Sequence, residues 1–299
     1  MRYSLLFILF IAPLTHALDV EPRRWSHLPI DMHFTGVAYA RTDADIQFDP
    51  ALQLEDVEMD LDTWAAKYIY SFESFGKSSR VSITQAYQEG HWQALLEGQP
   101  AETSRYGASD TFVRYAIDLY GAPPLKGKDF GAYRKKQDNE TIVGVGLAVR
   151  LPTGDYRKDR LINLGQNRYV FRPQIGLQHN RGPFTLEANV EVALYAENDS
   201  FWNGNTLEED PLFIYFTTLA YTIKPGMWGS VGYGYNYGGE SKINGERKDN
   251  TKHDEGFGAS FAYPINRQTG IKFSYIKTFT QQNTGADTES FSAGIAYSF

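Results

Sequence analysis

The sequence alternates between apolar and polar residues along many short segments, and its last ten residues show this most clearly. One set of alternate positions is Phe291, Ala293, Ile295, Tyr297 and Phe299. The other set is Ser290, Ser292, Gly294, Ala296 and Ser298. Successive side chains of a β-strand point to opposite faces, so this period of two predicts a strand with one apolar face.

Residues 184–197 repeat the pattern over a longer stretch. Their apolar face carries Phe184, Leu186, Ala188, Val190, Val192 and Leu194, and their other face carries Thr185, Glu187, Asn189, Glu191 and Ala193. A soluble sheet would point the first set at a core, whereas a transmembrane barrel points it at lipid. Similar alternation runs through residues 141–151, 211–223 and 271–282.

The first 17 residues have the pattern of a secretory signal peptide. Arg2 gives a positive start, residues 5–12 are apolar, and Ala17 is a small residue at the expected cleavage point. This apolar run is too short to span a bilayer, and no later segment approaches the ~20 consecutive apolar residues of a membrane helix. The chain has no cysteine, which excludes a lipoprotein anchor, a disulfide framework and a thiol nucleophile.

We predict twelve strands, near residues 30–42, 61–73, 79–89, 109–120, 141–152, 168–179, 184–197, 211–223, 228–239, 255–264, 271–281 and 288–299. Short turns and longer polar loops follow alternate strands, as in an outer-membrane barrel. The predicted fold is therefore an all-β, transmembrane, antiparallel up-and-down β-barrel with both termini in the periplasm. The expected divisions are the signal peptide (1–17), a periplasmic N-terminal segment (18–29) and the barrel (30–299).

One connector departs from this rule. Residues 121–140 fall at the end of the barrel that has short turns, yet they are long. We expect a turn of helix near residues 129–134. A capping or packing role is favoured over a partner-binding role, because loops usually owe their length to local satisfaction of backbone groups.

Several motifs in the middle of the chain resemble a known family. They are Leu119-Tyr120-Gly121-Ala122-Pro123, Leu151-Pro152-Thr153-Gly154-Asp155-Tyr156, the run from Leu161 to Arg168, Arg172-Pro173-Gln174-Ile175-Gly176, Phe201-Trp202-Asn203-Gly204-Asn205-Thr206 and Gly238-Gly239-Glu240-Ser241. The sequence resembles, from about Trp25 to Phe299, the outer-membrane "transporter" family named for a MetA pathway of phenol degradation. The resemblance implies passage of small aromatic or other hydrophobic compounds across the outer membrane.

The final strand also resembles the last strand of bacterial outer-membrane barrels, which the barrel-assembly machinery reads. We therefore expect Ile295, Tyr297 and Phe299 to act as the assembly signal. The expected location is the bacterial outer membrane, with outer-membrane lipid and lipopolysaccharide as further partners. The net charge of −7 argues against a nucleic-acid partner, which would favour a basic face.

If the apolar faces meet lipid, a set of polar residues lines the lumen. We predict that this set contains Arg114, Asp118, Arg150, Arg168, Arg172, Gln174, Gln178, Glu187, Asn189 and Glu191. Arg168, Arg172 and Gln178 should face Glu187 and Glu191 across neighbouring strands. Two interpretations stay open: a lattice of ion pairs that braces the barrel, and a polar constriction that selects permeants.

The expected function is a channel for passive uptake of small, hydrophobic or aromatic molecules. The alternative is a plugged structural or adhesion barrel that acts through its outer loops. An enzyme is a distant third, because no nucleophile, orienting base and oxyanion site can be assembled. No cofactor or metal site is expected, since the acidic first outer loop lacks the spacing of a calcium loop. A TonB-driven receptor is disfavoured, because about a dozen residues before the first strand are too few for a plug domain.

Overall fold

The computed structural model describes residues 21–47, 54–96 and 98–299. The predicted signal peptide thus lies outside the described residues. The strands are β1 (Met32–Gln47), β2 (Leu54–Ser74), β3 (Lys77–Leu96), β4 (Gln99–Ala108), β5 (Thr111–Tyr120), β6 (Asn139–Leu151), β7 (Val170–Arg181), β8 (Phe184–Tyr195), β9 (Asn198–Phe201), β10 (Asn205–Glu209), β11 (Leu212–Lys224), β12 (Met227–Gly238), β13 (Ser241–Ile243), β14 (Glu246–Arg247), β15 (Lys252–Pro264), β16 (Thr269–Thr280) and β17 (Gly285–Ser298). One helix, α1 (Gly127–Lys136), and a 3-10 turn at Trp202–Gly204 complete the described elements. No helix among these residues is long and apolar enough to cross a bilayer.

The large sheet closes on itself as an antiparallel barrel. Strand β1 pairs with β2 on one side and with β17 on the other, and β2 also pairs with β3. Strands β4 and β5 pair with successive parts of β3 and together occupy one position in the wall. The barrel therefore has the twelve antiparallel strands that the sequence predicts.

Side chains alternate across the wall in the predicted sense. On β8, Leu186 is 51% exposed on the outer face while its neighbour Glu187 is fully buried. Phe213 of β11, 56% exposed, shows the same orientation. Apolar side chains thus cover the outside and polar side chains fill the inside, which is the reverse of a soluble sheet and the arrangement of a barrel in lipid.

Short and long connectors separate to opposite ends of the barrel. Two-residue turns at 75–76, 182–183 and 225–226 define what we call the turn end. Phe75 and Gly76 both have positive φ, 53° and 70°, which suits a tight turn between twisted strands. The opposite, loop end carries residues 152–169 and a small sheet of β9, β10, β13 and β14. Phe299 pairs by backbone hydrogen bonds with His33 at the turn end.

The long connector 121–140 contains α1, which covers the predicted helical turn. Arg134, Lys135 and Lys136 lie in the last helical turn and Asp129 lies in the first, which are favourable positions in the field of the helix dipole. Phe130 is buried, and its ring packs edge-on against His27 with centroids 4.8 Å apart. The connector is therefore a packing element at the turn end.

Candidate functional site

The barrel interior holds the polar residues that the sequence assigns to the lumen. The predicted set on the inward face is Arg114, Asp118, Arg150, Arg168, Arg172, Gln174, Gln178, Glu187, Asn189 and Glu191. Gln178 lies directly opposite Glu187 on neighbouring strands, and Arg172 forms a 2.9 Å ion pair with Glu191. Arg168 instead pairs with Glu209 of β10. The role of these residues in selectivity stays a prediction.

The sequence did not reveal what occupies the lumen between these residues. Residues 21–30, which we call the lumen segment, are buried throughout and contact inward-facing side chains of the wall. The sequence-based division placed residues 18–29 in the periplasm as a separate segment. Its described part, from Glu21 onward, lies inside the barrel, because its polar groups find partners there.

Trp25 occupies the centre of the lumen segment and is fully buried. Its indole lies against Gly144 and Gly176, which face each other across β6 and β7. A Cβ added to Gly176 would lie 1.8 Å from the indole nitrogen, so the absence of side chains here makes room for the ring. The indole N–H donates to Asn189 Oδ1 at 2.8 Å, and the Arg114 guanidinium lies 4.8 Å from the ring centroid.

Two carboxylates of β8 anchor the lumen segment. Glu191 accepts a 2.5 Å hydrogen bond from Arg24 Nη1 and also pairs with Arg172. Glu187 accepts from the backbone N–H groups of Arg24 and Trp25, at 3.1 and 3.2 Å. Buried carboxylates need such partners, because an unpaired buried charge is very costly. The lumen segment therefore supplies hydrogen-bond and ion-pair partners for these two carboxylates of the wall.

A second buried ion pair supports the segment from strands β3 and β5. Arg80 of β3 makes a bidentate contact with Asp118 of β5, at 3.0 and 3.1 Å. The same guanidinium donates to the backbone carbonyls of Arg24 and Ser26, at 3.2 and 3.0 Å. Sequence reasoning identified Asp118 but missed its partner, because Arg80 lies on a strand with weak alternation.

The turn end of the lumen is closed by α1. His27 Nε2 contacts the carbonyl oxygen of Pro123 at 2.8 Å, and its ring packs against Phe130 and Tyr133. Ile30 donates its backbone N–H to Leu125 O at 2.9 Å. The connector 121–140 therefore holds the lumen segment in place at the turn end.

The loop end is covered by connectors that fold over the lumen. Asp110, between β4 and β5, accepts backbone hydrogen bonds from Gly154 at 2.9 Å and Gln166 at 2.8 Å. Asn198 of β9 accepts a 2.8 Å hydrogen bond from Asn167. These contacts tie residues 152–169 across the opening.

The small sheet at the loop end is held by exposed charges. Asp210 accepts from Lys242 Nζ at 2.7 Å and from Arg247 Nη1 at 3.1 Å. The hydrogen bond from Lys242 and the charges of both bases lower the pKa of Asp210 below its ordinary value of 3.8. This carboxylate therefore stays ionised while it bridges two strands of the sheet.

Most arginine side chains in the interior lie over aromatic rings. Guanidinium groups lie 4.5–5.6 Å from ring centroids in the pairs Arg23–Trp228, Arg24–Phe216, Arg114–Trp25, Arg168–Tyr195 and Arg172–Phe112. Cations placed over rings in this way are attracted by the ring quadrupole. The interior is thus lined by surfaces that accept both aromatic rings and charge.

The three residues of the expected assembly signal lie on the outer face of β17. Ile295, Tyr297 and Phe299 are all exposed there. The ring of Phe299 stacks on those of His33 and Tyr297, with centroids 5.3 and 5.7 Å apart. Their role in assembly stays a prediction. Among the described residues, no group of three or more His, Asp or Glu side chains is placed to hold a metal ion.

The fold is similar to those of solved outer-membrane proteins. The COG4313 outer membrane channel from Pseudomonas putida F1 superimposes with a TM-score of 0.78 at 16% identity, over 94% of this chain and 100% of that one. The beta domain of the Bordetella autotransporter BrkA gives 0.50 at 11% identity, over 90% and 100% of the two chains. The transport unit of the autotransporter AIDA-I from Escherichia coli gives 0.50 at 11% identity, over 95% and 94%.

Likeness at these identities concerns the fold. A comparison with curated proteins found none that matches this chain. Residues 42–297, which include all twelve wall strands at least in part, match a family model. The chain therefore belongs to the family described as "Putative MetA-pathway of phenol degradation".

Proposed function

We propose that the protein is a passive channel for small hydrophobic or aromatic molecules, and that the lumen segment is its gate. Membership of the phenol-degradation family supports the aromatic substrate class. The fold it shares with an outer membrane channel supports transport. The proposed function has no chemical step, so the arginine and glutamate residues of the lumen act by binding and not by catalysis.

The observation that carries this proposal is the place of Trp25. An aromatic ring with a hydrogen-bond donor already lies in the lumen, against the Gly144–Gly176 patch and beside Arg114. Its N–H donates to Asn189. A phenol has the same two features, a flat ring and one donor. When the segment leaves, these groups become available to an aromatic solute.

The lumen segment is suited to act as a gate. Its described residues form no strand with the wall, and its C-terminal end leads into β1. Several of its contacts are buried ion pairs, and water that enters the lumen when the segment leaves would hydrate both partners of each pair. Its release would therefore cost far less than opening the continuous backbone ladder of the wall. Twelve strands enclose an interior between the filled eight-stranded and the open sixteen-stranded barrels.

We propose the bacterial outer membrane as the location, with the turn end and both termini in the periplasm. The proposed partners are outer-membrane lipid, lipopolysaccharide, the barrel-assembly machinery and the permeant. Short turns on the periplasmic side and long loops outside are usual for such barrels. The ten predicted lumen residues would contact the permeant in the open state, and Arg114 and Asn189 are the most directly placed.

A plugged structural barrel is the second candidate. The observation that favours it is the set of contacts that joins Arg80 of β3 to Glu191 of β8 through Arg24, whose carbonyl oxygen accepts from Arg80 at 3.2 Å and whose guanidinium donates to Glu191 at 2.5 Å. In that case the loop end would carry the function and no solute would pass.

Solute uptake into liposomes that contain the refolded protein tests the proposal. Phenol, glucose and potassium chloride are offered separately, and protein-free liposomes give the background for each solute. Faster entry of phenol, with glucose and salt near background, supports a channel for aromatic molecules. Entry of all three indicates a general pore, and entry of none leaves the plugged barrel.

A further inference from the structure

A cavity opens at the turn end, between the lumen segment, the end of α1 and two turns of the wall. Its volume is about 390 Å³, within the range of small-molecule sites. The turns 182–183 and 225–226, the end of α1 and residues 23, 26 and 27 of the lumen segment enclose it. It lies apart from Trp25 and its glycine patch.

Three cationic side chains line this cavity: Arg23, Arg134 and Lys224. They come from the lumen segment, the connector helix and the β11–β12 turn, which are distant in sequence. Like charges repel at short range, so the chain gains nothing from bringing them together unless a negative group joins them. One nitrogen of Arg134 is already bound by Glu140 at 2.6 Å.

Arg23 is the most unusual of the three. Only 6% of it is exposed, and its backbone adopts a positive φ of 63°. Its guanidinium donates to Thr222 Oγ1 at 2.5 Å and lies 5.0 Å from the ring centroid of Trp228. Its Nε is buried with no hydrogen-bond partner among the described residues. A buried charge with spare donors calls for an acceptor.

The remaining lining offers few negative groups. Asp138 is the one carboxylate among the lining residues, and it is exposed. The neutral lining includes Gln178 and Asn180, whose amide groups donate one hydrogen bond each, to Asn180 Oδ1 and Glu140 Oε2, and keep a second N–H group that can donate. The cavity therefore carries excess positive charge and several donors.

We propose that this cavity binds a small oxyanion, either the carboxylate of an organic acid or inorganic phosphate. Arginine guanidinium groups match both in geometry and charge. The oxyanion would accept from Arg23 and Arg134 inside the cavity and be attracted by Lys224 at its mouth. This site goes beyond the proposed channel function and does not depend on it.

Titration calorimetry of the full-length barrel in detergent at low salt tests the site. Benzoate and phosphate are the probes, and benzamide is the neutral match for benzoate. Lys224→Gln removes one cation, and Gln137→Glu puts a carboxylate of equal shape at the cavity wall. Both positions are exposed, so both variants should fold. Lys77→Gln, at another turn of the same end, is the matched control.

We expect at least one of the two oxyanions to bind and benzamide not to bind. Lys224→Gln and Gln137→Glu should each weaken binding by about ten-fold, the effect of about 1.4 kcal/mol, while Lys77→Gln leaves it unchanged. Binding of benzoate alone identifies an organic acid as the ligand, and binding of phosphate alone identifies phosphate. The proposal is overturned if neither binds better than benzamide, or if Lys77→Gln weakens binding as much as the other two variants.

Discussion

Replacing Trp25 with alanine should release the gate. The side chain is fully buried, donates a 2.8 Å hydrogen bond to Asn189 and lies against Gly144 and Gly176. Removing a buried tryptophan costs about 3–5 kcal/mol. Since 1.4 kcal/mol is a factor of ten, the ratio of displaced to docked lumen segment should rise by roughly 10²-fold to 4 × 10³-fold.

Single-channel recording in planar bilayers measures this ratio as the fraction of time spent open. The wild-type protein should show rare openings, and Trp25→Ala should be open for most of the record. Trp64→Ala is the matched control, because Trp64 is 45% exposed on the outer face and has no contact with the lumen. If Trp25→Ala opens no more often than the wild type while it remains a folded barrel, Trp25 does not hold the channel closed.

Four further results are expected. Gly176→Ala should open the channel as Trp25→Ala does, because the added Cβ would lie 1.8 Å from the indole nitrogen; Gly229→Ala, with its nearest atom at 3.8 Å, should not change the recording. Glu191→Gln leaves two buried guanidinium groups without their shared carboxylate, at a cost of about 3–5 kcal/mol, and trypsin should then cleave the lumen segment faster than in the wild type. The pKa of Asp210 is lowered in the folded state, so its stabilisation of the small sheet is complete above pH 3.8 and is lost as the pH falls through the lower folded value. Pepsin cleavage near β13 should rise as the pH falls through that value. Asp210→Asn should abolish this pH dependence. Phe299→Ala should lower the amount of assembled protein in outer-membrane fractions, as judged by immunoblot, whereas unchanged levels would remove Phe299 from the assembly signal.

The barrel could be predicted from the sequence because its signal is local. Alternation along a strand decides which residues face lipid, as residues 184–195 illustrate. Connector length indicates which strand ends lie at the same end of the barrel. Boundaries differed by several residues: β2 and β3 extend well beyond the predicted 61–73 and 79–89 towards the loop end. Four of the seven residues 54–60 in the β2 extension are acidic, so the alternation fades where this strand leaves the apolar band.

The lumen walls were also predictable, since they are the polar faces of the same strands. The contents of the lumen were not predictable, because the lumen segment has no periodicity and its partners lie far away in the sequence, 54 positions for Ser26 and Arg80 and 164 for Trp25 and Asn189. Two signals were present in the sequence. Arg23, Arg24 and Trp25 are the types that match buried glutamates and a flat surface, and Gly144 and Gly176 interrupt two inward faces. Neither signal indicates that these two sets of residues contact each other.

Locking the lumen segment to the wall tests the gate most directly. The chain has no native cysteine, so Ser26→Cys with Gln178→Cys, at positions whose side chains are in contact at 2.9 Å, gives a single pair that a short, reducible bismethanethiosulfonate reagent can join. We expect phenol uptake into liposomes to stop when the pair is joined and to return when the link is reduced, while each single variant is unaffected by the reagent. Equal uptake in the joined and reduced states would show that solutes do not pass the lumen segment, and would contradict the gate.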